Sequence, residues 1–145
     1  MNLTPAGDAY MGGGIRFLPR DFMKLGQLHL NGGTWNGRKI LTPQWSRRST
    51  SHLVDMEKTT TYDPETNQFV TGTRMYGYLW WVEDYPYNGR KVRAFFAGGN
   101  GGQIVTGIPE LDLVVAFYGG NYSDRASLIP QWVYVPRYIL PAVDN

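Results

Sequence analysis

The sequence predicts an α+β fold in which an antiparallel sheet of about four strands, joined as a meander, carries helices packed on it. Two segments with helical spacing come first along the chain, at about 18–30 and 42–51. Four apolar segments follow between residues 76 and 118, and the links between them are too short for crossover helices. A chain of 145 residues fits one domain, which we expect to span residues 1–145.

Both early helices carry start and stop residues of their own. Pro19 suits the first turn of the first helix, Phe22 and Leu25 lie on its apolar face, and the run 31–33 (Asn-Gly-Gly) ends it. The second helix starts at the Thr-Pro pair 42–43, an N-cap followed by a proline at the first helical position.

A polar segment separates the second helix from the predicted strands. Residues 55–73 are mostly polar, which predicts a long surface loop or a loose hairpin. The Asn36-Gly37 pair, between the two helices, predicts a tight turn.

The predicted sheet occupies the second half of the chain. The four predicted strands are 76–82, 92–96, 103–108 and 113–118. The last strand is apolar throughout, so we expect both of its faces to be covered. Residues 128–140 then predict a helix packed on the sheet, with Pro130 in its first turn and Pro136 breaking or kinking it.

Composition excludes several classes of function. The chain has no cysteine, which excludes disulfides, thiolate metal sites and a cysteine nucleophile. The net charge is +2 and the cations are scattered, so we expect no nucleic-acid partner. No apolar run approaches the ~20 residues of a membrane span, and the start of the chain is unlike a signal peptide, which predicts a protein that stays where it is made.

The two histidines predict neither a metal site nor a catalytic base. They are distant in sequence and the carboxylates are not clustered, so we expect no metal and no cofactor. His29 shares a helix face with Phe22 and Leu25 and is interpreted as a satisfied, partly buried side chain. His52 ends a helix, where a cation suits the helix dipole. The aromatic face of Tyr76, Tyr78 and Trp80 is interpreted as core, with a ligand-stacking platform as the alternative.

A glycine-rich stretch between two apolar segments is the candidate functional site. Five of the eight residues after Phe96 are glycine or alanine. A strand edge without side chains lets a ligand or another backbone approach closely, and its N–H groups can bind a developing oxyanion. The structural alternative is a β-bulge or wide turn, with Asn100 as a left-handed turn residue and Gln103 ordering the loop through backbone hydrogen bonds.

Six stretches carry a family resemblance over nearly the whole chain, in the right order. They are GGGIR (12–16), PRDFMKLGQL (19–28), NGGTWNGRKIL (31–41), YGYLWW (76–81), GNGGQ (99–103) and PELDLVV (109–115). The chain thereby resembles the C-terminal part of the serine β-lactamase and penicillin-binding-protein superfamily, in its class C β-lactamase-like esterase branch. The resemblance covers less than half of that family's catalytic domain and implies part of a β-lactamase/transpeptidase-like fold. Members of the family are often extracytoplasmic.

The resemblance implies a site that is incomplete in this chain. The family's Ser-x-x-Lys and Tyr-x-Asn motifs are absent, since no serine has a lysine three residues later. The third family motif falls on Ala97, Gly98 and Gly99, so alanine occupies the position of a cation or imidazole. The resemblance also implies that the Asn100 N–H is one oxyanion donor, with Gly101, Gly102 and Gln103 supporting the loop.

Three functions remain open at this point. The first is the oxyanion-side part of a serine hydrolase that acts on esters, amides or β-lactams, inactive alone and completed by an N-terminal complementary segment or a second copy. The second is a standalone, non-catalytic module that binds a small ligand or a protein, for which a stable monomer would argue. The third is a self-associating remnant in which two copies cover each other's exposed surfaces, and we expect the isolated chain to self-associate.

Overall fold

One antiparallel sheet of six strands dominates the computed structural model, which describes residues 3–8, 10, 13–63 and 66–143. Gly12, the first residue of the GGGIR stretch, lies outside these residues. The six strands follow one another in chain order across the sheet. A separate two-stranded hairpin lies between the first two helices, with Asn36 and Gly37 at its turn in positive φ.

The elements have the following bounds. The helices are α1 (Pro19–Leu30), α2 (Pro43–Ser49) and α3 (Pro130–Ile139). The strands are β1 (Thr34–Trp35), β2 (Arg38–Lys39), β3 (Val54–Asp63), β4 (Gln68–Tyr76), β5 (Trp81–Tyr87), β6 (Arg90–Gly98), β7 (Ile104–Ile108) and β8 (Leu113–Phe117). Three-residue and four-residue 3-10 turns cover Pro109–Leu111, Arg125–Leu128 and Leu140–Ala142.

The predicted α+β class and the antiparallel meander are confirmed, but the expected number of about four strands is wrong. The polar segment 55–73 forms most of a hairpin, β3–β4, so of the two expected alternatives the hairpin is confirmed and the loop is wrong. The predicted strand 76–82 is in fact the end of β4, a turn and the start of β5. Only Met75 and Tyr76 of β4 pair with β5, so most of the β3–β4 hairpin extends past β5 and has no strand beside β4. This position leaves most of its side chains exposed and explains their polar character.

Helices cover both faces of the sheet. On one face, Phe22, Leu25 and Leu30 of α1 pack against a cluster that includes Phe95 and Val105. On the other face, a second cluster holds Tyr85, Val92, Ala94, Ile108, Val135 and Leu140. Adjacent residues of a strand point to opposite faces, and the consecutive Ala94 and Phe95 of β6 belong to the two clusters accordingly.

The third helix runs through Pro136, so of the two expected effects of that residue, a break or a kink, the break is wrong. The segment winds as a π-type helix from Pro130 and continues to Ile139. Val135 and Leu140 are both almost completely buried on either side of the proline. Their packing against the sheet outweighs the hydrogen bond that a proline cannot donate.

The two edges of the sheet differ in character. β3 carries Asp55, Glu57 and Lys58, and its register with β4 shifts between Met56 and Thr59. β8 consists of the apolar run LVVAF, pairs with β7 without a register shift, and is half-buried along its whole length. Both of its faces were expected to be covered, and its position at the edge explains why its burial is only partial. Among the described helices, none is long and apolar enough to cross a bilayer.

Candidate functional site

The glycine-rich stretch closes the β6–β7 hairpin as a compact loop. Ala97 and Gly98 are the last residues of β6 and pair with Val105 and Ile104 of β7. The Gly99 N–H donates to the Gln103 carbonyl at 2.8 Å, and the Gly102 N–H donates to the Gly99 carbonyl at 3.1 Å. The loop is therefore a hydrogen-bonded turn at the end of two central strands.

A neighbouring segment braces this loop. The Gln103 side-chain amide donates to the Gly119 carbonyl at 2.8 Å, across the loop rather than within it. The Asn121 N–H donates to the Gly101 carbonyl at 3.1 Å, and the Ser123 N–H donates to Asn100 Oδ1 at 3.0 Å. These three bonds join the glycine loop to residues 119–123, which follow β8.

The glycines of the stretch differ in how much space surrounds them. A Cβ atom on Gly119 would lie 2.6 Å from the Gly101 carbonyl oxygen, a backbone atom that cannot move aside. A Cβ on Gly101 would crowd the side chains of Gln103 and Tyr122. A Cβ on Gly98, by contrast, would meet nothing closer than 3.7 Å. Gly119 is therefore required by close packing against backbone, a Cβ on Gly101 would displace side chains, and Gly98 has room for a methyl group in ordinary van der Waals contact.

Asn100 lies at the surface of the loop. The residue is exposed and its side-chain oxygen accepts from the Ser123 N–H. Its own backbone N–H donates to no acceptor within the described part of the chain. The side-chain bond therefore holds this residue in place while its N–H has no partner in the described residues.

A cleft of about 360 Å³ adjoins the loop at Gly102. Its walls are formed by the end of β8, the bracing segment and the start of α3, and include Phe117, Gly119, Ile129 and Tyr134. All of its lining residues are uncharged, which suits a neutral, largely apolar group.

Ser46 and His29 form a serine–histidine contact that the sequence did not reveal. Ser46 Oγ lies 3.2 Å from His29 Nδ1 and donates to the His29 carbonyl at 3.0 Å. Ser46 is only 1% exposed, and the His29 ring packs edge-on against Trp80 and Phe95. Burial lowers the pKa of His29, against the opposite effect of its hydrogen bond with the Ser46 backbone. The pair joins α1 to α2 inside the core, where no substrate can reach the hydroxyl.

The remaining serines offer no activated nucleophile. Ser49 and Ser51 donate to backbone carbonyls of α2, and Ser127 is buried. Ser123 is exposed next to Asn100, but His52 is paired with Asp55 at 2.8 Å and His29 lies in the core. Among the described residues, no three histidine, aspartate or glutamate side chains group together as metal ligands.

A buried polar network under α3 was also missed by the sequence analysis. Glu83 of β5 accepts from Trp132 Nε1 at 2.7 Å, from the Tyr85 hydroxyl at 2.6 Å and from Arg74 at 3.3 Å. Gln131 donates to the Tyr85 hydroxyl at 2.6 Å and accepts from Thr106. The only sequence signal was the pair of acidic residues, Glu83 and Asp84, inside the aromatic-rich stretch that forms β5.

Burial controls the titration of this network. It raises the pKa of the Glu83 carboxyl, and the hydrogen bond from Tyr85 and the charge of Arg74 oppose that shift. It also raises the pKa of Tyr85 well above its usual value. The Arg74 guanidinium lies 4.0 Å from the centre of the Trp81 ring, in contact with aromatic faces on both strands and helix. The network ties β4, β5, β7 and α3 together and has no exposed reactive group.

No protein-family model matches the chain, and no curated protein matches it.

Proposed function

We propose that this chain supplies the oxyanion-binding wall of a serine-hydrolase type of acyl-transfer site, with the nucleophile provided by another segment or chain. In this proposal strands β5–β8, with α1 and α3, correspond to the C-terminal part of a β-lactamase-like catalytic domain. The sequence stretches at 12–16, 19–28, 31–41, 76–81, 99–103 and 109–115 carry that resemblance.

The observation that supports the proposal is the free Asn100 N–H. Transition states of acyl transfer carry negative charge on the former carbonyl oxygen, and preorganised N–H donors stabilise that charge. Asn100 is exposed, and its side chain is held by the hydrogen bond from the Ser123 N–H to Oδ1. Gly98 and Gly99 beside it are exposed and carry no side chain to block a carbonyl group.

The surroundings favour a neutral substrate. Ala97 stands where the family has a cation or imidazole, so this position cannot hold an anionic substrate group or donate a proton. The cleft beside Gly102 is lined by uncharged residues. Esters or amides with an apolar group therefore fit better than β-lactams, whose carboxylate needs a cation.

Proton NMR on ¹⁵N-labelled protein tests the donor directly. Phenylphosphonate stands in for the tetrahedral oxyanion, and we expect a saturable shift of the Asn100 amide signal. Asn100→Ala removes the Oδ1 brace and weakens this binding, while Asn121→Ala, whose backbone alone bonds to the loop, leaves it unchanged. Equal shifts at unrelated surface amides would contradict a site at Asn100.

Intact-mass spectrometry after treatment with a serine-directed fluorophosphonate tests the absence of a nucleophile. We expect no adduct on the isolated chain, since Ser46 is buried and the other serines have no activating base. A single adduct would show that one serine of this chain is activated, and the nucleophile would then belong to the chain itself.

A second function, that of a self-associating binding module, is favoured by the β8 edge. Natural edge strands are usually protected by charge, proline or a bulge, and β3 has both charge and a register shift. The LVVAF strand has none of these protections. A second copy or a complementary segment would continue the sheet there, and light scattering on the purified chain measures whether copies associate.

A further inference from the structure

A strained leucine stands exposed at the turn between β4 and β5. Leu79 has a φ of +64°, in the left-handed region that a bulky side chain rarely adopts. Its side chain is 61% exposed. Conformational strain of this kind persists only where the surroundings enforce it, and it often marks a functional position.

The surrounding backbone enforces the turn. The Gly77 N–H donates to the Trp80 carbonyl at 2.8 Å, and the Tyr78 N–H donates to the Ser49 carbonyl of α2 at 2.9 Å. Gly77 itself is buried, and a Cβ there would overlap the backbone of Ser49. The turn is therefore clamped to α2 and presents Leu79 rigidly outward.

Aromatic and apolar side chains continue this surface. Tyr78 stacks face to face on Trp45 of α2, with ring centres 5.2 Å apart, and each side chain is more than 40% exposed. Leu53 and Val54 lie alongside the turn, because the Leu53 N–H donates to the Tyr76 carbonyl and Val54 pairs with Tyr76. Both side chains are exposed. We name Trp45, Leu53, Val54, Tyr78 and Leu79 the apolar tip.

Positive charge accompanies the apolar tip. Arg47 and Arg48 are exposed on α2, and Arg38 and Lys39 are exposed on β2, which leads into that helix. The sequence contains no acidic residue between Asp21 and Asp55, and Asp55 is paired with His52. The stretch 22–54, which holds Trp45, Leu53 and Val54 of the tip, is therefore cationic in a protein whose net charge is only +2, whereas Asp55 and Glu57 follow Val54 on β3.

We propose that the apolar tip is a peripheral docking site for an anionic phospholipid bilayer. Leu79 enters the acyl boundary, the Trp45 and Tyr78 rings lie at the level of the headgroups, and Arg48, three residues from Trp45 on α2 and so on the same side of that helix, contacts lipid phosphates. Amphipathic aromatic rings favour the membrane interface, and cations beside an apolar surface are attracted to acidic lipids. This surface is separate from the glycine loop and does not depend on the function proposed for it.

A bilayer fits the tip better than a peptide does. Peptides bind along a groove or a free strand edge. The cleft beside Gly102 and the cleft beside Pro86 are both lined by other residues. The tip instead projects a leucine from a two-residue turn, a shape that inserts into a fluid surface without a matching cavity.

Vesicle flotation with the full chain tests the proposal. We expect the protein to float with phosphatidylcholine vesicles that contain about 30% phosphatidylserine, and to detach as salt rises from about 50 to about 500 mM. Leu79→Asn removes the inserted side chain and suits the left-handed backbone, so the fold remains intact while partition falls at least about tenfold. Leu18→Asn is the matched control, since Leu18 is 71% exposed at the N-cap of α1, where asparagine is favoured.

Four outcomes would overturn the proposal. The first is absence of flotation at low salt, and the second is equal flotation of Leu79→Asn and the wild type. The third is tight binding to soluble poly-glutamate, lost in Leu79→Asn, without binding to vesicles, which would assign the tip to an acidic protein. The fourth is equal binding to vesicles of phosphatidylcholine alone, which would refute the preference for anionic lipid.

Discussion

The guanidinium of Arg74 lies 3.3 Å from the Glu83 carboxylate, although their strands share only two register pairs. Both side chains are largely buried, at 8% and 15% exposure. Arg74 packs against Trp81 and Trp132, and Glu83 accepts from Trp132. This ion pair holds the β3–β4 hairpin against the sheet and α3, where the backbone ladder alone contributes little.

Loss of Arg74 should therefore destabilise the protein strongly. Arg74→Met keeps much of the apolar contact but leaves the Glu83 carboxylate buried without its cation, which costs about 3 kcal/mol of unfolding free energy at neutral pH. The matched control is Arg93→Met, whose partner Asp84 lies in a half-exposed pair and whose loss costs under about 1 kcal/mol. Urea denaturation compares the two. Equal losses of unfolding free energy in the two variants would show that the buried ion pair contributes no more to stability than the exposed one.

The titration of Glu83 should make stability fall as pH rises. Burial raises its pKa in the folded state, so the carboxyl stabilises the fold below its unfolded pKa of about 4.3 and loses that contribution as pH rises through the folded pKa. Glu83→Gln keeps a neutral side chain of the same shape. Its stability relative to the wild type should therefore increase with pH over this window, as measured by urea denaturation at several pH values.

Asp84 provides the control of opposite sign. The hydrogen bond from Arg93 lowers the pKa of Asp84, so its contribution is present above about pH 3.9 and is lost as pH falls through its folded pKa. The difference in unfolding free energy between Asp84→Asn and the wild type should be constant above that pH. If the difference between Glu83→Gln and the wild type were equally constant, the pKa of Glu83 would not be raised.

The early helices and the last three strands were predictable because the residues that start and end them lie within or next to each element in the sequence. Pro19 and Asn31 bound α1 as expected, and short turn segments separate β6, β7 and β8. The β3–β4 hairpin was not distinguished from a loop because its exposed, threonine-rich strands show no apolar alternation. The Arg74–Glu83–Trp132 network joins residues far apart in sequence, and no local pattern announces it.

The position of the candidate site was predictable, but its support was not. The stretch Ala97, Gly98, Gly99, Asn100, Gly101, Gly102 and Gln103 lies at the end of β6 and in the turn before β7. Its braces come from residues 119–123, which reach the loop only through the tertiary fold. The serine–histidine contact of α1 and α2 is likewise a product of packing.

Alanine substitutions should show which glycines of the candidate site are required by close packing and which are not. Gly119→Ala places a Cβ against the Gly101 carbonyl and should push the bracing segment away, which shifts the Asn100 amide signal and weakens phosphonate binding. Gly98→Ala adds a methyl group that meets its neighbours at 3.7 Å or more, an ordinary contact, and should leave the loop unchanged. The amide spectra of the two variants test this contrast, and similar perturbation by both would contradict it.

Self-association through β8 should depend on its apolar edge. Val115→Lys places a charge at the middle of the edge strand, and we expect it to shift the chain to a monomer in light scattering. Thr60→Lys makes the same addition on β3, at an exposed position of the opposite edge, and should leave the mass unchanged. Dissociation by Thr60→Lys alone would place the interface at β3 instead.

Relief of strain at Leu79 should stabilise the protein. Asparagine tolerates the left-handed backbone better than leucine. Leu79→Asn should therefore increase the free energy of unfolding by about 0.5–1 kcal/mol and raise the melting temperature by about 2–4 °C. Leu53→Asn makes the same change at a nearby exposed leucine outside the left-handed region, and no gain is expected there. Differential scanning calorimetry measures both variants. A loss of stability in Leu79→Asn would mean that packing of the leucine outweighs its backbone strain. A gain of stability combined with loss of vesicle binding would show that leucine at this position lowers stability and supports docking.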